Sequence, residues 1–598
     1  LVAIGMVLAA VFVPMAFLRG ATGVIYRQFS ATIVSAMALS VLIALILTPA
    51  LCATLLKPLK KGEHHGKKGF FRWFNRNYDR AVSTYRGAVR GMLSRSLRFV
   101  AVFLVLVAIM GGLFANLPSS FLPPEDQGVL YAQVQAPVGA TQQRTMESVE
   151  KLEDYFLENE QGTVDSLFTV QGFSFGGTGQ NNAMGFIKLK DWSERESPDL
   201  RVDALAARAM AALSEIKDAM VFAYAPPPIR ELGRSAGFVL YLKDNANVGH
   251  DALLAARDQF LGTATQDPLL VNVRPGGQED APQFRLDIDV EKASALGVSI
   301  AEINRTLSVA WGGRYIDDFI DRGRVKRVFV RADAPFRMSP EDFKLWSVRN
   351  GEGRMVPLPA FASWHWDYGS PRLERYNGVP AMQINGEAAP GVSSGDAMAE
   401  VEAIVSRLPA GVGLEWTALS FQERLAGAQT PLLYTLSLLI VFLALAALYE
   451  SWTIPTAVML IAPLGILGIT LAATLRGLER DVYFQVAMLT TVGLTSKNAI
   501  MIAAFAQDYI AQGLGLVSAT MQAVRDRLRP ILMTSLAFGM GVLPLALATG
   551  AGSGAQRAIG TGVLGGMIVG ALLGLFFTPL FFVIVRRVFR RRSTPETA

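Results

Sequence analysis

The feature that most constrains this chain is a set of eight apolar stretches, 1–18, 30–56, 99–115, 425–449, 451–475, 482–506, 530–550 and 558–585, which carry no charged residue except Lys497. Each runs for 17–28 residues. A bilayer core takes about 20 residues of helix at ~1.5 Å per residue, so the pattern predicts eight membrane-spanning helices rather than buried helices of a soluble protein. Helix is the form these segments must take, because lipid offers backbone amides and carbonyls no partner.

Basic residues set the orientation. Residues 57–98 carry twelve Lys and Arg against two acids. Arg525, Arg527 and Arg529 precede the seventh stretch, and Arg586, Arg587, Arg590, Arg591 and Arg592 follow the eighth. If each stretch crosses once, all these clusters fall on the cytoplasmic side. The formal charge of +6 is then a topology signal, and no nucleic acid is implied. Cys52 is the single cysteine, so neither a disulfide nor a Cys-based metal site forms within one chain. His64 and His65 sit in a Lys/Gly linker and read as solvated rather than metal-binding. No GxxxxGK[ST] motif occurs, which disfavours nucleotide drive.

The first two stretches resemble the last two. "VFVPMAFLRGATGVIYRQFSATIVSAMALSVLIALILTPAL" and "GVLPLALATGAGSGAQRAIGTGVLGGMIVGALLGLFFTPLF" each place an early proline, a short Gly-containing loop and a late Thr-Pro. Pro14 to Pro49 and Pro544 to Pro579 are both 35 residues, an offset of 530 between the copies. Duplicated halves are a common plan for transporters. By the same offset, the counterpart of 482–506 would precede Leu1, so the chain is expected to be part of a longer one that lacks its N-terminal half.

Residues 116–424 separate the third and fourth stretches, outside the cytoplasm, and mix strands with helices. "VLYAQVQAPVG", a helix at 141–158, "VDSLFTVQGFSF", "MGFIKLKDW", a helix at 201–216 and "AMVFAYA" give the order β-α-β-β-α-β, a ferredoxin-like unit. A second unit begins with "AGFVLYL", a helix at 249–265 and "LLVNVRP". It resumes at "AMQINGEA", a helix at 396–407 and "VGLEWT", leaving about 279–369 as an insertion. On the cytoplasmic side, 69–93 puts Phe70, Phe74, Ala81 and Tyr85 on one helical face with Arg on the other, which reads as an interfacial helix or else a plain linker helix.

Lys497 is the strongest candidate for chemistry. A lysine at mid-span costs roughly 2.5–3.5 kcal/mol on insertion scales and should face a charged partner or a water-filled path. It lies about 22 Å from one end of its stretch and about 14 Å from the other, too deep for easy snorkelling. The eight stretches contain no Asp or Glu, so a partner carboxylate is expected from missing sequence or another chain. Arg527 and Thr534, seven residues apart, share a helical face; a topology anchor and a self-bonding hydroxyl are the plainer readings. Phe168, Phe173, Phe175 and Phe186 crowd around the Gly-rich run "GGTGQ", read as a movable loop, where core packing is the alternative. That run does not open a helix, so phosphate binding is not expected.

Taken together, the repeated helix pair and the stretches "PSSFLPPEDQG", "AWGGRYIDDFIDRGRVKRV", "SPRLERYNGVP", "LAALYESWTIP", "LTTVGLTSKNAI" and "RLRPILMTSLAF" resemble the resistance–nodulation–division exporters, in the branch of AcrB/MexB-like multidrug pumps. The resemblance covers the whole chain and implies a drug/proton antiporter of the Gram-negative inner membrane. It implies a homotrimer working with a periplasmic adaptor and an outer-membrane channel, driven by the proton gradient with no cofactor or metal. It also implies twelve spans, of which this chain holds eight, from the fifth onward. Lys497, Arg527 and Thr534 match the proton relay, whose aspartates would lie in the absent half. Phe168, Val170, Phe173, Phe175 and Phe186 match a deep drug pocket with its switch loop, and Phe222, Tyr224, Glu231 and Arg274 match the entrance and proximal pocket.

The implied organisation is two spans in 1–56, a basic cytoplasmic loop over 57–98, a span at 99–115, and porter subdomains at 116–230 and at 231–278 with 370–424. A channel-docking insertion over 279–369, five spans in 425–585 and a basic tail at 586–598 complete it. Ala504, the prolines of "APPPIREL" and Thr178 depart from the family pattern, which bears on substrate preference and loop motion. The alternatives are a relative that exports metal ions or lipids, and a noncatalytic membrane scaffold.

Overall fold

The computed structural model describes residues 2–56, 70–233, 237–550 and 552–590. His64, His65 and the tail from Arg591 onward lie outside the described residues. Seven helices among the described residues are long and apolar enough to cross a bilayer: Gly20–Leu55, Ser96–Asn116, Ala418–Tyr449, Thr453–Arg476, Val482–Ala511, Leu516–Ala546 and Ser553–Phe589. The expected span at 1–18 differs. It forms an α-helix over Val2–Phe12 and a 3₁₀ turn over Pro14–Phe17, shorter than the others. Pro14 lacks the N–H that would continue the α-helical ladder, which is why the α-helix stops before it.

The helix Val482–Ala511 is the most deeply buried of the seven. The Asp481 side chain caps its start, accepting from the Phe484 amide at 2.6 Å. Glycines let its neighbour Ser553–Arg590 approach. A Cβ at Gly566 would come within 2.5 Å of Thr491 Cγ2, and one at Gly570 within 2.4 Å of Thr495 Cγ2. Such small-residue seams are how helices pack where no hydrophobic drive distinguishes protein from lipid.

The helix Phe70–Ser94 packs on the bundle through Val82, Tyr85, Val89, Met92 and Leu93. Ala81, expected on that face, is exposed instead, because Val82, Tyr85, Val89 and Met92 form the i, i+3, i+7, i+10 stripe and Ala81 falls beside it. The side chains of Phe70 and Phe74 lie outside the described residues. The Tyr85 hydroxyl donates to the carbonyl oxygen of Leu575 at 2.6 Å. In a regular helix that carbonyl would accept from residue 579, which here is a proline without an N–H. Tyr85 thus supplies the donor that Pro579 removed.

Outside the spans, strands β1 (Val129–Gln135), β2 (Val164–Ser174), β3 (Gly177–Leu189) and β4 (Met220–Tyr224) form an antiparallel sheet in the order β2-β3-β1-β4. One face packs on the helices Gln142–Asp154 and Val202–Leu213 through Leu130, Val134, Ile187, Val149 and Leu205. A second sheet contains β5 (Phe238–Asp244), β6 (Leu270–Pro275), β7 (Val379–Ala388) and β8 (Val412–Trp416). Here β7 pairs with β5 and β6, and β8 pairs with β5, so the order β6-β7-β5-β8 repeats that of the first sheet. Its core is Leu240, Leu242, Ile384 and Trp416 against Phe260 and Val401.

Gly277–Glu374 is a separate compact unit with its own core of Ile303, Phe343, Val348, Leu358 and Phe361. It carries a two-stranded ribbon, Arg314–Asp321 with Arg324–Val330, and an open depression of about 320 Å³ lined by Ala332, Asp333, Phe336, Leu345 and Trp346.

Candidate functional site

Lys497 sits half-buried on the deepest helix, one turn after Gly493 on the same face. A Cβ at Gly493 would meet Leu8 at 3.1 Å, so the helix Val2–Phe12 covers that face just before the lysine. Among the described residues no carboxylate pairs with Lys497. Arg527, from the helix Leu516–Ala546, places its guanidinium 3.1 Å from the ring centroid of Phe505, two turns beyond Lys497. The Tyr509 hydroxyl donates to Asp526 Oδ2 at 2.6 Å, fastening the same two helices. Thr534 is exposed, and its hydroxyl donates to the Ile531 carbonyl at 3.1 Å within its own helix. The three candidates therefore occupy two adjacent helices, and no hydrogen bond joins them among the described residues.

The aromatic candidates form a more connected arrangement. The register of the first sheet sets Phe168 opposite Phe186, Phe186 opposite Tyr131, and Tyr131 opposite Tyr224. Because strand side chains alternate, the whole row lies on the face away from the helices. Ring centroids are 6.2 Å apart for Phe168–Phe186, 5.4 Å for Phe186–Tyr131 and 6.1 Å for Tyr131–Tyr224. A parallel row sets Val170, Met184, Gln133 and Phe222 alongside it. Phe168 is 65% exposed and Tyr224 only 5%, so the row runs from an open end to a closed one.

Arg274, at the end of β6 in the second sheet, closes that end. Its guanidinium carbon lies 4.9 Å from the Phe222 ring and 5.3 Å from the Tyr224 ring. Burial lowers the Arg274 pKa, with the Glu387 charge acting the other way; burial raises that of Glu387, with Arg274 opposing. The result is a cation partly withdrawn from water on an aromatic floor, suited to flat apolar molecules with a polar end. Glu231, on the short turn Arg230–Leu232, is exposed and joins neither row.

The Gly-rich run differs from the expected loop. β3 starts at Gly177, pairing Ser174 with Gly177 and Phe173 with Thr178, so only a tight turn at Phe175–Gly176 is left. Gly172, at φ +80°, sits where the register shifts and lets the hairpin bend. Phe173 and Phe175 meet edge-on at 5.9 Å, and Phe175 reaches Tyr131 at 5.9 Å. A Cβ at Gly176 would lie 3.3 Å from the Gly276 carbonyl, so the hairpin tip abuts the end of β6.

Sequence reasoning missed Tyr131, the hub of the row. The signal was present in "VLYAQVQ", where Leu130, Ala132 and Val134 alternate with Tyr131, Gln133 and Gln135: an aromatic ring stands on the otherwise polar face. No group of three or more His, Cys, Asp or Glu among the described residues could hold a metal ion.

Comparison with known proteins gives a consistent result. Residues 1–586 match the sequence profile described as the AcrB/AcrD/AcrF family. The chain is 57% identical over 592 residues to the multidrug export protein AcrF of Escherichia coli strain K12, covering 99% of this chain and 57% of that protein. It is 57% identical over 602 residues to a probable efflux pump membrane transporter, TtgB, of Pseudomonas putida, covering 100% and 57%. Against the multidrug resistance protein MdtF of Escherichia coli O6:H1 it is 52% identical over 593 residues, covering 99% and 57%. The chain thus spans somewhat over half the length of these relatives.

Proposed function

The chain belongs to the AcrB/AcrD/AcrF family, and on that premise we propose that it exports amphiphilic small molecules, drugs among them, from a Gram-negative inner membrane in exchange for protons. The observation that carries the reading is Lys497, the one charge in the apolar stretches, on the most buried long helix and without a carboxylate among the described residues. Its partner carboxylates belong to sequence that the relatives carry beyond the part matched here, as the repeat offset of 530 expects. Protonating them would release the ammonium to change partners and let adjacent helices slide, with Arg527 and Thr534 on the neighbouring helix. A proton moving inward supplies about 2.3 kcal/mol per 100 mV, so no cofactor is needed.

The two sheets act as porter subdomains of ferredoxin-like topology, supported by their shared strand order. Substrates lie on the row from Phe168 to Tyr224, with Val170, Phe173, Phe175 and Phe222 around them and Arg274 and Glu231 toward the entrance. The unit Gly277–Glu374 serves in channel docking, the assembly is a homotrimer with a periplasmic adaptor and an outer-membrane channel, and the eight apolar stretches all span. The test is drug-stimulated proton flux in proteoliposomes holding the pump at the length of its relatives. Drug-dependent flux that vanishes with Lys497→Ala supports the reading, and undiminished flux in that variant overturns it.

A further inference from the structure

The helix Phe70–Ser94 turns two contrasting faces outward and inward. Inward lie Val82, Tyr85, Val89 and Met92, packed on the bundle and locked by the Tyr85–Leu575 hydrogen bond. Outward, at about 100° per residue, Arg76 and Arg80 lie opposite that stripe, with Arg90 and Arg86 along the flank that leads from it back toward Val82. All four are exposed, and none of their guanidinium groups has an ion-pair or hydrogen-bond partner among the described residues.

Two observations set the level of this helix against the bilayer. Only Arg95 separates it from the span Ser96–Asn116, whose Leu97, Val102, Leu104 and Val105 are exposed apolar residues at 82%, 47%, 60% and 58%. Leu575, which holds Tyr85, lies 11 residues before Arg586, in the half of the eighth apolar stretch nearest its basic end. Both place the helix in the half of the bundle where the basic clusters that flank the apolar stretches gather.

We propose that this face is a docking surface for the headgroups of anionic phospholipids, whose phosphates pair with Arg76, Arg80, Arg86 and Arg90. Guanidinium forks suit phosphate oxygens, and juxtamembrane basic residues add attraction to anionic lipid charge by charge. The inference rests on the membrane topology proposed above but on neither drug transport nor proton coupling. Bound lipid would hold the helix at the boundary, and through Tyr85 the helix holds the carbonyl freed by Pro579.

The experiment is lipid retention by the purified chain, exchanged from detergent into nanodiscs with equal phosphatidylglycerol and phosphatidylcholine, then re-extracted and analysed by native mass spectrometry. Wild type is expected to retain phosphatidylglycerol several-fold over phosphatidylcholine. The variant Arg76→Gln/Arg80→Gln/Arg86→Gln/Arg90→Gln should lose that preference and retain the two lipids about equally, since each juxtamembrane basic residue adds to the attraction. A charge-matched control, Arg285→Gln/Arg314→Gln/Arg324→Gln/Arg349→Gln in the separate unit, should keep it, and millimolar inorganic phosphate should not displace the lipid. Unchanged preference in the first variant, equal loss in the control, or displacement by phosphate alone overturns the proposal. The readout needs neither transport nor sidedness, so it can fail while the pump reading stands.

Discussion

Replacing Tyr85 with Phe removes one oxygen and keeps the ring, including its edge-on contact with Phe576 at 5.2 Å between centroids. The lost oxygen is the donor to Leu575, whose carbonyl has no helical partner because residue 579 is proline. Leaving a buried carbonyl unsatisfied costs about 1–3 kcal/mol, and Tyr85→Phe should destabilise by that amount. Burial pushes the Tyr85 phenol above its ordinary value, so it stays a donor and the cost should not vary across the neutral range. Pro579→Ala restores an N–H at the position where Leu575 would ordinarily find its partner. In that background Tyr85→Phe should cost much less, a coupling of roughly 1 kcal/mol or more. SDS titration in mixed micelles, followed by tryptophan fluorescence, measures all four corners of the cycle. An equal cost for Tyr85→Phe with proline and with alanine at 579 would refute the carbonyl-rescue argument.

Lys497→Ala, in the pump at full relative length, should abolish drug protection in a pump-deficient strain while leaving membrane insertion intact by immunoblot; normal protection removes the lysine from coupling. Tyr131→Ala should change the minimum inhibitory concentrations of different drugs unevenly, since it touches Phe175, Phe186 and Tyr224, whereas uniform loss would mean a packing role. Burial alone would raise the Asp126 pKa, but hydrogen bonds from Arg195 and the Gly128 and Val202 amides, with the Arg195 charge, hold it below its usual range. An acid depressed in the fold stabilises above its unfolded value of about 3.9 and loses that contribution as pH falls through the lower folded value. Asp126→Asn should therefore lower the apparent Tm at pH 7 by more than at pH 3, and a pH-independent loss would contradict this. Gly566→Val should prevent stable assembly of the helix bundle, because a Cβ there would meet Thr491 at 2.5 Å; a wild-type melting profile would show that the seam can open.

Periodicity and charge carry the part of this fold that is local to the chain. Seven long apolar helices were legible from run length, because lipid demands uninterrupted apolar helix. The α/β elements were legible because alternation and 3.6-residue spacing are local properties of the chain. Lys497 stood out for the same local reason, as a charge where none is tolerated without use.

Which residues meet depends on contacts between distant parts of the chain. Phe168, Phe186, Tyr131 and Tyr224 are spread over 94 positions and became one row only through strand register, which no short window contains. Alternation in "VLYAQVQ" set Tyr131 on the polar face, but only its neighbours on β3 and β4 made it the hub of the row. The Gly-rich run became strand because pairing with β2 overrode the loop preference of its glycines. Ala81 left the packed face because the bundle selects which stripe of an amphipathic helix it will bury. Tyr85 and Leu575 lie 490 residues apart, and their hydrogen bond exists because Pro579 leaves a buried carbonyl that only a distant donor can satisfy. Spacing rules act within a few residues of chain, whereas a buried polar group must be satisfied by whatever the fold brings beside it.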